Sequence, residues 1–141
     1  LGKVANLFLK TAHRRPMTPV DHVSAIEARG LEGDISFDRS QRQVLLIETD
    51  VLGRYGLHPG AVRENVTTSG IKLTGLSCGT RLQLGETLLE ITGDCTPCSF
   101  MDSLRPGLRD EIEGERGLLA RVVKGGAIRV GDRVSIVGNT P

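Results

Sequence analysis

Short stretches of alternating apolar and polar residues, separated by glycine turns, run through most of this chain. "VANLFLK" (4–10) and "VDHVSAIEARG" (20–30) have the two-residue repeat of strands, and the second ends in a two-glycine turn, "RGLEGD". "RQVLLIE" (42–48) is a continuous apolar run and predicts a buried strand. "TDVLGRYGLHPG" (49–60) changes period: Val51, Leu52 and Tyr55 fall at helical spacing, Thr49 is a candidate N-cap, and Gly56 and Pro59-Gly60 close a short helix. The segment from residue 61 to 76 reads as strand, then loop.

Two later stretches echo each other. "TRLQLGETLLEI" (80–91) and "GAIRVGDRVSIV" (126–137) both place a glycine-acid pair, Gly85-Glu86 and Gly131-Asp132, between alternating runs, which predicts two similar hairpins. Between them, "SFMDSLRPGLRDEIEGERG" is a second helical segment, interrupted at Pro106-Gly107. Alternation with polar residues facing outward favours a closed or nearly closed antiparallel barrel over a parallel sheet. The expected fold is mainly β, a β-barrel with a few short flanking helices, in one domain spanning residues 1–141.

Composition narrows the function classes. Of 141 residues, 38% are hydrophobic and 25% charged, the balance of a globular domain, and the 18 glycines suit many tight turns. Aromatic residues make up only 3% and the net charge is +1, so neither stacking platforms nor a global field for nucleic acid is present. No apolar run approaches the ~18 residues of a membrane span, and the N-terminal segment has no small-residue cleavage site. Three cysteines do not make a disulfide framework. The expectation is a cytoplasmic protein with reduced thiols, binding neither nucleic acid nor membrane.

The chemistry centres on "GDCTPCSFMD" (93–102), where Cys95 and Cys98 stand three residues apart. A dithiol of this spacing exchanges disulfides when a helix N-terminus stabilises one thiolate and the other resolves the mixed disulfide. A zinc site needs four ligands, and Cys78, His13, His22 and His58 lack the spacing to complete one. Cys78, just before a strand, reads as a packed small hydrophobe. A glycine- and proline-flanked turn at a strand end points to exposure for Cys95 and Cys98. Three uses remain open: a thiolate acting as nucleophile, soft metal ligand or sulfur carrier; a thiol–disulfide module; or an inert pair in a non-catalytic binding barrel.

The ordered series "GLEGD" (30–34), "RQVLLIE" (42–48), "PGAVRENVTTSGIKLTGLSCGTRLQLGETLLEITG" (59–93), "CTPC" (95–98) and "GERGLLARVVKGGAIRVGDRV" (114–134) resembles the MOSC domain over about residues 20–137. The family takes its name from the C-terminal domain of molybdenum cofactor sulfurases, and the likeness is to its small stand-alone bacterial members. The resemblance implies a β-barrel and a role in binding molybdenum cofactor or carrying sulfur to it, as in a sulfurtransferase. Its key cysteine corresponds to Cys98, which would be metal ligand or persulfide carrier, with Cys95 as neighbour or assistant. It also implies that Arg63 and Asn65 hold the pterin and its phosphate, because arginine forks onto phosphate and asparagine pairs with a heterocycle edge. Thr67, Thr68 and Ser69 would complete an anion nest, and Arg116 in "GERG" would add a phosphate contact. Arg42 and Asp34 are further family-like positions. The plainer readings make Arg63–Glu64 a surface ion pair, Asn65 a turn residue, Asp34 a turn cap and Arg116 an exposed loop charge. No pyridoxal-phosphate lysine motif is present, so the resemblance implies an external cysteine desulfurase or a molybdoenzyme as partner.

Overall fold

The computed structural model describes residues 2–139. Seven strands close a barrel. In hydrogen-bonded order they are β11 (Arg133–Asn139), β7 (Thr80–Leu84), β8 (Thr87–Asp94), β9 (Leu118–Lys124), β5 (Val44–Glu48), β6 (Val66–Ser69) and β1 (Gly2–Leu9), with β1 pairing back onto β11. The other half of β1 carries β2 (Thr18–Val20), with Leu7 opposite Val20. A second sheet joins β10 (Gly126–Arg129), β3 (His22–Ile26) and β4 (Gly30–Leu31). The short helices are α1 (Thr49–Arg54), α2 (Ser99–Leu104) and α3 (Leu108–Glu111).

Alternation decides which side chains fill the barrel. In β7, Thr80, Leu82 and Leu84 are buried while Arg81 and Gln83 are partly exposed, and β8 continues the pattern with Leu89 and Ile91. These residues join Val4, Leu7, Val66, Val122 and Val134 in the main core. Complete burial of each such Leu or Ile contributes about 1.5–3 kcal/mol. Strand β5 is buried at all five positions. Val44 and Leu46 face the main core, Ile47 packs with Val51, Leu52, Met101, Leu108 and Ile112 of the helical layer, and Leu45 meets Cys95 and Leu119. This is why residues 42–48 show no alternation.

The structure amends four details. First, β5 and β6 run parallel, with Leu46 opposite Val66, in an otherwise antiparallel barrel. A parallel pair needs a long crossover, and residues 49–65 supply it, carrying Arg63 and Asn65 to the head of β6. Second, Thr49 is the first helical residue of α1, and the cap position falls on Glu48. The Glu48 carboxylate instead accepts the Thr74 N–H and hydroxyl, at 3.0 and 2.8 Å. Third, only the first echo is a hairpin. Leu84 pairs with Thr87 across Gly85-Glu86, but β10 pairs with β3 and β11 with β7 and β1. The Gly131-Asp132 turn thus carries the chain from one sheet to the other, held by Val4 N–H to the Asp132 carbonyl at 2.8 Å. Fourth, the residue 61–65 part of the strand-then-loop segment is turn, and β6 starts at Val66. Pro106-Gly107 does divide the second helical segment, into α2 and α3.

Candidate functional site

Where β1 and β8 end and β5, β6 and β9 begin, five loops converge, and Asn65, at the head of β6, ties the end of β1, the start of β5 and the Asp34 turn together. Its side-chain oxygen accepts the Leu45 N–H at 3.0 Å, while its amide nitrogen donates to the Phe8 carbonyl at 3.2 Å and to Asp34 Oδ1 at 2.9 Å. Its backbone adds Asn65 N–H to the Leu45 carbonyl and Phe8 N–H to the Asn65 carbonyl, both at 2.8 Å. Asp34 also takes the N–H of Lys10 at 2.6 Å and, through its other oxygen, that of Ser36 at 3.0 Å, the bond of a turn cap.

Glu64 is fully buried and is no surface ion-pair partner. One carboxylate oxygen accepts the Gly60 N–H at 2.6 Å and the Thr67 hydroxyl at 3.1 Å, bracing the turn from below. Burial pushes its carboxyl above the ordinary range, against the pull of those donors and of Arg116. Arg63 stands on top of the same turn with φ of 66°, a left-handed backbone uncommon outside glycine.

A cavity of about 80 Å³ lies under these loops. Its lining contains Lys10, Arg39, Arg42, Arg63 and Arg116, together with Asn65, Gln43 and Cys95, and no carboxylate among the described residues. Arg116 is only 6% exposed, and its Nε and Nη1 are buried without a hydrogen-bond partner. Leaving such donors unsatisfied costs about 1–3 kcal/mol or more for a charged group. Gly117 permits the placement, since a side chain there would stand 2.8 Å from the Leu46 carbonyl oxygen. Arg29, Arg54, Arg81, Arg105, Arg121 and Arg129 pair with carboxylates; among the described residues none of the five cavity cations does, and neither do Arg14, Arg15, Arg109 and Arg133 outside it. Burial and the Arg63 charge hold the Lys10 ammonium below its ordinary range, with Asp34 opposing, Arg116 adding to the effect and Cys95 opposing it. A cluster of cations around one cavity, without a carboxylate in its lining, attracts an anion.

The cysteines divide differently from the sequence expectation. Cys95, expected to be exposed, is 8% exposed and lies in the cavity wall beside Leu45 and Leu119. Its N–H is held by the Gly117 carbonyl at 2.9 Å. Cys98 is exposed at the cap position of α2 and is not part of the lining. This order reverses that of a disulfide-exchange site, whose first thiol is the exposed one at the helix start. Cys78 is exposed rather than packed, its thiol 3.4 Å from the Thr92 carbonyl. Among the described residues no three His, Cys, Asp or Glu side chains converge as metal ligands, and no helix is long and apolar enough to cross a membrane.

Of the residues singled out in the sequence, the fold brings Arg42, Arg63, Asn65, Arg116 and Cys95 to one cavity. Thr67, Thr68 and Ser69 follow along β6 outside it, the first two fully buried, with Thr67 bonded to Glu64. Arg116 is buried and not an exposed loop charge. Lys10, Arg39 and Gln43 were not legible as site residues. Lys10 follows the end of β1, and the "DRSQRQ" run gives no sign of which charges border the cavity.

A small closed barrel with a cation-lined, thiol-bearing cavity between its strand ends defines the class. The sequence pattern of the MOSC domain matches residues 13–135, and this chain belongs to the MOSC domain family. Its fold is similar to that of YuaD from Bacillus subtilis (TM-score 0.85, 19% identity, 99% of this chain and 97% of that one). It is also similar to YiiM from Geobacillus stearothermophilus (0.73, 23%, 97% and 75%) and YiiM from Escherichia coli (0.75, 17%, 98% and 71%). A comparison with curated proteins returned no match. Family membership is consistent with a role related to molybdenum cofactor or to sulfur.

Proposed function

We propose that this chain binds molybdenum cofactor, or carries sulfur to it, by seating an anionic group of the cofactor in the five-cation cavity beside a thiol of the Cys95–Cys98 turn. The observation that carries this reading is Arg116, a buried guanidinium whose unpartnered Nε and Nη1 belong to a cavity without carboxylates. Those donors fit a phosphate or other oxyanion, which accepts charge-assisted hydrogen bonds from a guanidinium. When bound, the cofactor supplies a metal centre for redox and for oxygen- or sulfur-atom chemistry. The chain's own residues hold and orient. Arg116 and Arg63 offer donors, Lys10 adds charge, and Asn65 fixes the strand ends that carry them.

The cavity geometry favours Cys95 as the thiol beside the bound group. Cys98, which the family resemblance indicates, faces solvent, where a desulfurase or molybdoenzyme partner reaches it. In this division the Cys98 thiolate takes the outer sulfur of a desulfurase persulfide, the Cys95 thiolate attacks that outer sulfur with the Cys98 thiolate leaving, and the Cys95 persulfide meets the cofactor. The test is anaerobic incubation with molybdenum cofactor from a donor protein, then desalting and quantification of molybdenum and pterin. Retention by the wild-type chain, lost in Cys95→Ala and kept in Cys98→Ala, is the expected result. Loss only in Cys98→Ala moves the working thiol to the exposed position, and no retention by folded wild type overturns cofactor binding.

A further inference from the structure

The charge around the cavity is graded from exposed to buried. Arg39 and Arg42 are exposed, Lys10 and Arg63 are half-buried, and Arg116 is buried. The exposed pair marks the way in, and the unpartnered Nε and Nη1 of Arg116 mark the inner end. Cys95 belongs to the same lining. At the end of β8, Asp94 pairs with Leu118, and the Cys95 N–H is held by the Gly117 carbonyl at 2.9 Å. Cys95 therefore stands beside the residue that follows Arg116, and the thiol and the buried guanidinium share one enclosed space.

A space of about 80 Å³ suits a compact anion. What this one adds to a plain anion site is a nucleophile. A thiolate attacks a sulfur atom that carries a good leaving group. The compact anion that brings such a sulfur is thiosulfate, whose outer sulfur is bonded to a sulfite group. In water a thiolate and thiosulfate repel each other, because both are anionic. Cations around both relieve that repulsion and stabilise the sulfite that gathers charge as it leaves.

We infer that this chain takes sulfur directly from thiosulfate onto Cys95, without a desulfurase, an activity that rests on the anion-binding cavity proposed above. The Cys95 thiol gives its proton to solvent, and the thiolate attacks the outer sulfur of thiosulfate. A bond forms between Cys95 Sγ and that sulfur, the bond from it to the sulfite sulfur breaks, and the bonding electron pair leaves on sulfite. A thiolate and a thiosulfate enter, and a persulfide anion and a sulfite result, so charge balances and no oxidant or reductant takes part. Arg116 holds the oxygens of the sulfite group during the transfer. Arg39 and Arg42 draw thiosulfate in from solvent.

The test is anaerobic incubation of the reduced full-length chain with thiosulfate, following sulfite release and the added mass of a sulfur atom. Wild type and Cys78→Ala should release sulfite in proportion to the chain, at a rate that saturates with thiosulfate. In Cys98→Ala, which leaves a single thiol on its peptide, the sulfur should lie on Cys95 and yield thiocyanate with cyanide. Cys95→Ala should give no sulfite. Arg116→Met should lose saturation and react at least about tenfold more slowly at low thiosulfate, as expected for the loss of charge-assisted hydrogen bonds. Sulfate should inhibit wild type and not this variant. Sulfur carried on Cys78 or Cys98 at a rate indifferent to Arg116 overturns the inference, and so does the absence of sulfite release by folded wild type. In that last case, protection of Cys95 from iodoacetamide by sulfate leaves the cofactor reading standing. Loss of that protection as well removes the cavity site and both readings with it.

Discussion

The Asn65 amide donates to Asp34 Oδ1 at 2.9 Å, and with the Lys10 and Ser36 N–H groups it engages both oxygens of this carboxylate in hydrogen bonds. Asp34 thereby organises the loops, and its charge offsets only part of the burial and cationic repulsion acting on Lys10. Asn65→Ala removes three side-chain hydrogen bonds joining β1, β5 and the residue 31–36 turn. Urea denaturation should show a loss of about 3 kcal/mol, at roughly 1 kcal/mol per bond. Asn65→Asp should be at least as damaging, since a second carboxylate would face Asp34. A loss below about 1 kcal/mol in both would contradict the role given to Asn65.

Lys10 and Glu64 are displaced from their ordinary ranges in ways that oppose each other with pH. The lowered Lys10 value means that the unfolded chain binds this proton more tightly than the folded chain. Its contribution is fully present above 10.5 and is lost as pH falls through the folded value. Lys10→Met should therefore raise the melting temperature near neutral pH, and the gain over wild type should shrink as pH approaches 10.5.

For Glu64 the sign is reversed. The raised value means that the folded chain holds its proton more tightly, so this contribution is present below 4.5 and is lost as pH rises through the folded value. Glu64→Gln keeps an oxygen for the Gly60 N–H and the Thr67 hydroxyl and removes the charge. Urea titrations from pH 4.5 upward should show the variant gaining on wild type as pH rises. A constant difference across that range would show that Glu64 titrates alike in both states.

Thiol labelling separates the three cysteines. Cys78 and Cys98 are exposed and Cys95 lies in the cavity wall. Iodoacetamide labelling followed by peptide mass spectrometry should find Cys95 at least about tenfold slower than the other two, as accessibility governs the rate. Inorganic phosphate should slow it further without affecting Cys78. Equal rates for Cys95 and Cys98 would contradict the enclosed position of Cys95.

The barrel was legible because its strands carry their burial in a two-residue repeat, as Arg81 to Ile91 do. The β10–β11 pair misled because Gly131-Asp132 is locally the same turn chemistry as Gly85-Glu86, and only long-range pairing decides whether the flanking strands meet. Side chains at Gly85 would in fact collide with Asp132, so the two turns pack on each other. At the site, the Arg63–Asn65 stretch stood out by its residue types and by likeness to a family. What the chain order hid was direction. Cys95 and Cys98 differ by three positions, yet the bond from Cys95 N–H to Gly117 turns one thiol inward, while the start of α2 leaves the other outside. Lys10 and Arg39 meet at the cavity only through long-range folding, Lys10 following β1 on the far side of β6 and Arg39 lying in the loop that leads into β5.

The central claim rests on Arg116, and calorimetric titration of wild type and Arg116→Met with inorganic phosphate tests it most directly, with melting temperatures recorded alongside. Removing a buried cation with unsatisfied donors should leave the ligand-free variant as stable as wild type or more so, by up to about 1–3 kcal/mol. Wild type should bind phosphate and gain stability from it, about 2.7 kcal/mol at a hundredfold excess over Kd, while the variant should show neither effect. Phosphate binding of equal strength in the two proteins would contradict the account, and so would a wild-type chain that binds no phosphate.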